Sequence, residues 1–224
     1  TYPWVQDKTE TLAYAMSDNP MGPFEFKGLI MQQSPTGCWT NHHSLVEYKG
    51  QWYLFYHHND YSPQFDKNRS ARIDKVIFNA DGTIQPVTPT FRGVGVSPAR
   101  KRIDLDRYSA LYPVAASIDF LDPAEPFTGW FVRLERPSVW VRYADVDFTE
   151  VSPASVRMRV RSKDGGKLSI CIAEDPAFVE VAVPRCMDWT EVNAPLGKAV
   201  TGLQTLTTTL EDGGVIDIDW IVFE

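Results

Sequence analysis

The sequence predicts an all-β protein, and three observations carry that prediction. Aromatic and β-branched residues gather in short runs, Gly, Pro, Asn and Asp interrupt them about every ten residues, and no helical period persists. At 224 residues, with 43% hydrophobic and 12% aromatic content, the chain has apolar surface enough for one large core or two ordinary ones. Short antiparallel strands at this spacing suit a sandwich, a barrel or a propeller.

Residues 12–15, 24–26 and 28–31 read as strands around the turn Asp18-Asn19-Pro20-Met21-Gly22-Pro23, where Asn-Pro and Gly-Pro force a reversal. Next comes Leu45-Val46-Glu47-Tyr48-Lys49-Gly50-Gln51-Trp52-Tyr53-Leu54-Phe55-Tyr56, two apolar arms about a Lys-Gly turn, the pattern of an antiparallel hairpin. All four histidines, His42, His43, His57 and His58, sit as pairs at the open ends of those arms. Neighbours on a strand point to opposite faces, so one member of each pair can look into a pocket while the other packs away from it. A polar loop, 59–68, leads to a strand over 71–78, which Asn79-Ala80-Asp81-Gly82 stops. The Pro- and Gly-bearing connector 86–98 marks a boundary between residues 1–96 and 97–224.

Beyond it, strands are predicted over 140–143, 156–161, 168–172, 179–183, 203–210 and 215–223. Val156, Met158 and Val160 alternate with Arg157, Arg159 and Arg161, which places apolar groups on one face and arginines on a face turned to water.

Charge excludes several function classes. Net charge is −7, with −1 in residues 1–96 and −6 in 97–224, so neither part offers a basic footprint for nucleic acid or acidic lipid. No apolar run approaches the roughly 20 residues of a membrane span, and no signal peptide is expected within these residues. Cys38, Cys171 and Cys186 lack metal or redox spacing, and buried apolar packing is their plain reading. The four histidines carry zinc-type donors, yet neither H-x-x-x-H nor C-x-x-C spacing supports a zinc site.

Three ordered segments carry a family resemblance: Tyr14-Ala15-Met16-Ser17-Asp18-Asn19-Pro20-Met21-Gly22-Pro23-Phe24, Gly37-Cys38-Trp39-Thr40-Asn41-His42-His43-Ser44 and Asn68-Arg69-Ser70-Ala71-Arg72-Ile73. Together they resemble glycoside hydrolase family 43, in particular arabinofuranosidase and xylosidase members with a second β-domain. The resemblance implies a partial five-bladed β-propeller, about the last two blades, over residues 1–96. Ile103-Asp104-Leu105-Asp106-Arg107-Tyr108-Ser109, Trp140-Val141-Arg142-Tyr143 and Asp217-Ile218-Asp219-Trp220-Ile221 resemble carbohydrate-binding module family 6, implying a β-sandwich of jelly-roll type over 97–224.

By that resemblance His42 lies at the propeller centre, where it helps hold a metal ion or an ordered water beneath the substrate, and Arg69 contacts sugar. Asp106 and Asp219 match positions that bind a structural calcium in relatives, with Asp104 and Asp217 as weaker candidates. Asp217 stands where many binding members carry an asparagine that touches sugar. Trp130, Tyr143 and Trp189 are candidate sugar platforms, although core packing is the commoner use of such rings.

The family hydrolyses with inversion, using two carboxylates held about 6.5–9.5 Å apart across an attacking water. Those carboxylates belong to the first three blades, so no catalytic residue is expected in this chain. Glu10, Glu25, Glu47, Asp60, Asp66 and Asp74 read instead as solvated or turn-making acids.

The expected function is that of the C-terminal portion of an enzyme hydrolysing O-glycosyl bonds in arabinose- and xylose-containing plant polysaccharides. The alternative is a non-catalytic carbohydrate-binding protein. The resemblance further implies a secreted or periplasmic setting. It also implies a partner for residues 1–96, either the missing N-terminal propeller portion or a second copy of the chain, because a partial ring leaves strand edges and blade faces bare.

Overall fold

The computed structural model describes residues 2–3, 10–33, 38, 40–61, 69–150, 152–172 and 175–224, with backbone alone for 2–3 and 175–177. Gly37, Trp39, Asp66 and Asn68, named above, lie outside the described residues. Among the described residues, every regular element other than one 3-10 turn at Pro126–Thr128 is a strand. The chain divides into two compact units, Thr1–Val94 and Gly95–Glu224.

The first unit contains two three-stranded antiparallel sheets. One is made of β1 (Tyr2–Pro3), β2 (Glu10–Met16) and β3 (Glu25–Met31), the other of β4 (His43–Tyr48), β5 (Gln51–His58) and β6 (Ser70–Val76). Lys49 (φ 52°) and Gly50 (φ 78°) both take positive φ, the backbone of a two-residue hairpin turn, and the register Tyr48↔Gln51 follows. Period-two alternation then sends Leu54, Tyr56 and Val76 to one face, where they bury against Leu12, Ile30 and Met31 of the other sheet. The opposite face of β4–β6 keeps Val46 (42% exposed), Tyr48 (60%) and Phe55 (44%) open to water.

The second unit is a sandwich of two six-stranded sheets. Its strands are β7 (Ser97–Pro98), β8 (Ile103–Asp104), β9 (Ala110–Leu111), β10 (Ala116–Phe120), β11 (Trp130–Leu134), β12 (Trp140–Asp147), β13 (Ser155–Ser162), β14 (Gly166–Ile172), β15 (Asp175–Val183), β16 (Cys186–Pro195), β17 (Leu203–Gly213) and β18 (Ile216–Phe223). One sheet runs β10-β11-β18-β13-β16 with β8 beside β18, the other β15-β14-β17-β12-β7 with β9 beside β12. Between them lie Val132, Leu134, Val141, Val156, Met158, Val160, Leu168, Ile170, Ile218 and Phe223, all at most 1% exposed. Each such side chain contributes about 1.5–3 kcal/mol by leaving water, so the sandwich owes its cohesion to this layer.

On the outer face of the first sheet the expected water-facing arginines are present, but they are only partly solvated. Arg161 and Arg133 both donate to Asp217, Arg159 and Arg102 to Asp219, and Arg157 to Glu191 and Glu224. Their guanidinium groups also lie 4.7–5.8 Å from the ring centres of Trp189, Trp220 and Phe131. Carboxylates of β18 (Asp217 and Asp219), together with Glu191 of β16 and Glu224, turn an open face into a ladder of charge-assisted hydrogen bonds.

Candidate functional site

The polar end of the second sheet in the first unit gathers the predicted residues. Register sets Ala71 opposite His57 and Ser70 opposite His58, so Arg69, one residue earlier, enters at the same end of the sheet. The main-chain N–H of His42 donates to Nε2 of His57 at 3.2 Å, and the two rings meet edge to face with centroids 5.6 Å apart. Accepting at Nε2 leaves the proton of a neutral His57 on Nδ1. That Nδ1 is buried and has no hydrogen-bond partner among the described residues.

Burial, followed by the charge of Arg69 and then of His42 and His58, holds the His57 imidazole below its ordinary value, which favours this neutral form. Arg69 acts on Cys38 as well, so its charge sits near both residues. Thr40 Oγ1, Asn41 Oδ1 and His58 Nε2 are likewise buried without a partner among the described residues. Glu10 accepts the main-chain N–H of Asn41 at 3.1 Å, tying the first sheet to this end of the second. Unpaired buried donors and acceptors are costly. Ligand hydroxyls are the kind of group that satisfies such atoms, and the exposed Arg69 stands at the same end of the sheet.

Beneath it lies a polar network that the sequence reading missed. Asp60 and Asp74, expected as solvated or turn-making acids, are 8% and 7% exposed. Asp74 accepts from the Tyr56 hydroxyl at 2.6 Å and from the Thr90 hydroxyl and main-chain N–H at 2.6 and 3.1 Å. Burial and this carboxylate push the Tyr56 hydroxyl far above its ordinary range. Arg72 donates to Asp60 and to the Thr90 carbonyl (2.9 Å), and its guanidinium lies 3.8 Å from the ring centre of Phe91. His58 Nδ1 lies 3.6 Å from the same Asp60. Strand parity was the available signal: Arg72 and Asp74 share a face with Val76, which a core must bury.

Among the described residues, no group of three or more His, Cys, Asp or Glu gathers that could hold a metal ion. Asp219 is fully buried, with Arg102 at 3.0 Å and Arg159 at 2.6 Å. Asp106 (3% exposed) lies 3.2 Å from Arg107. Guanidinium groups thus stand beside both carboxylates that the resemblance assigns to calcium. Burial still holds the Asp219 carboxyl above the usual carboxylate range despite both arginines.

The expected sugar platforms divide. Tyr143 is 5% exposed and belongs to the core, its hydroxyl 3.0 Å from Ser97 Oγ, so it offers no platform. Trp130 packs on Phe120 (5.2 Å between centroids) and Trp189 on Phe131 (5.4 Å), each half-buried.

No family model matches the chain. A β-xylosidase of Xylanibacter ruminicola is 46% identical over 81 residues, which are 35% of this chain and 24% of that protein. The structure of a glycoside hydrolase family 43 arabinoxylan arabinofuranohydrolase from Bacillus subtilis, in complex with cellotetraose, matches 100% of this chain and 49% of its own at 24% identity, with a TM-score of 0.56. The chain is similar to glycoside hydrolases of family 43. A family 6 carbohydrate-binding module from Clostridium cellulolyticum, in complex with xylose, matches 57% of this chain and 99% of its own at 20% identity, with a TM-score of 0.50. The two solved structures show the fold: the C-terminal part of a family 43 propeller and a family 6 sandwich. The chain spans about a quarter of the length of the curated relatives it matches first.

Proposed function

We propose that this chain is the C-terminal portion of a family 43 glycoside hydrolase acting on arabinose- and xylose-containing plant polysaccharides. Its first unit lines the substrate-binding end of the ring, and its second unit is a carbohydrate-binding module. The observation that carries this reading is the meeting of His42, His57 and the Arg69 charge at one end of the β4–β6 sheet, where His57 Nδ1 is buried without a partner among the described residues. It lies in a chain 46% identical over 81 residues to a β-xylosidase.

In this reading Arg69 and the His42–His57 pair hold sugar hydroxyls. The base and the acid of an inverting hydrolysis come from further blades, about 6.5–9.5 Å apart across the attacking water. Those blades would cover Val46, Tyr48 and Phe55, the apolar face that β4–β6 leaves bare.

The test is to combine this polypeptide with one carrying the first three blades of a family 43 relative and to follow release of chromophore from aryl arabinofuranoside and xyloside. Hydrolysis is expected from the combination, and Arg69→Ala should lower kcat/KM about ten- to a hundredfold, since hydrogen bonds to a charged group are worth about 1.5–3 kcal/mol each. Full activity in Arg69→Ala would sink the assignment of that residue, and no complementation would sink the reading itself.

A further inference from the structure

The sandwich as a whole is acidic, with a net charge of −6 over residues 97–224, yet it contains a pocket of about 280 Å³ whose lining reverses that sign. Arg133, Arg161 and Lys163 contribute three positive charges and Asp217 one negative, with Ser162, Met187 and Val215 completing the wall. We propose that this pocket binds a single carboxylate-bearing sugar, a uronic acid unit, with the carboxylate held by the two guanidinium groups and Lys163.

Asp217 is 4% exposed and accepts two hydrogen bonds from Arg133 (2.8 and 3.0 Å) and two from Arg161 (3.1 and 2.7 Å). One carboxylate therefore serves two guanidinium groups. Each arginine uses only Nε and one terminal nitrogen on it, leaving the other terminal nitrogen available on a fork suited to planar oxyanions. Asp119 and Glu135 also act on Arg133, but from outside the pocket wall. Lys163, which is exposed, adds a third cation at the rim. The lining thus lacks two negative charges in a partly enclosed space, where an ion pair is stronger than in open water.

A ring-bearing anion fits better than a bare one. Met187 (70% exposed) and Val215 (40%) give the pocket an apolar lip of the kind that packs on the C–H face of a pyranose, and Trp189 lies alongside, 4.7 Å from Arg161. A polyanion fits worse, because the surrounding −6 charge repels successive negative groups beyond the first. The inference deepens the carbohydrate-binding reading of this unit and rests on it.

Calorimetric titration of the 224-residue chain with methyl glucuronide, methyl xyloside and acetate separates the possibilities. Saturable binding of the glucuronide is expected. It should weaken about fivefold in Lys163→Gln, an exposed position whose loss leaves the fold intact, and should weaken again as salt is raised. Asp217→Asn should shift affinity the other way, tightening glucuronide binding by adding one uncompensated charge, provided its melting temperature shows a folded chain.

Xyloside binding equal to that of glucuronide and indifferent to Lys163→Gln would overturn the uronate assignment while leaving the carbohydrate-binding reading intact. Acetate binding as tightly as glucuronide would reduce the pocket to an unspecific anion site. Absence of binding by either sugar would overturn both.

Discussion

His57 is the residue on which the first unit's polar end turns. Burial and its cationic neighbours disfavour its charged form in the folded state, so the unfolded chain takes up a proton first, near the ordinary histidine value of about 6.5. Its contribution to stability is accordingly complete above that pH and is lost as pH falls toward the lowered folded value. His43, also held low by burial, acts in the same direction. Thermal melting between about pH 7 and pH 5 should therefore show a falling melting temperature, and His57→Gln should flatten that fall. An equally steep fall in the variant would assign the effect to other groups. His42 and Arg69 could be named from motif spacing, whereas the His57 contact could not, because a main-chain N–H reaching a ring fifteen positions away leaves no trace in residue types.

At the scale of elements, strand β14 meets the end of β17 through glycines that allow backbones to touch. A Cβ on Gly166 would lie 2.4 Å from the Asp212 carbonyl oxygen and 3.2 Å from Gly213 Cα. Backbone cannot yield there as a flexible side chain would, so Gly166→Ala should cost about 2–4 kcal/mol. Calorimetry of the sandwich transition should then show a melting temperature lower by about 7–15 °C, and an unchanged value would mean that the two strand ends shift apart freely. Strands with a clear apolar alternation, β5, β13 and β18 among them, were legible from sequence. Strands β10 and β16 were not, because they are sheet edges: residues such as Asp188, Glu191 and Asn193 cover what would otherwise read as a pattern. The arginine ladder was misjudged for a related reason, since Asp217 and Asp219 lie 56 and 60 positions from the arginines they serve.

For the whole molecule, the all-β class could be read from turn spacing and apolar runs alone. The propeller character of the first unit needed the resemblance of three ordered segments, because six short strands in two sheets fit several architectures equally well. Function was legible only as a resemblance, because the chain matches about a quarter of the length of its relatives. The bare side of β4–β6 has one more consequence. An antiparallel surface on which Val46, Tyr48 and Phe55 are exposed is a natural place for like molecules to meet. In dilute buffer the sedimentation coefficient of the isolated polypeptide should climb with loading concentration, and a single cationic replacement, Phe55→Lys, should hold it constant. If the native chain itself sediments as one unvarying species, that surface is not adhesive.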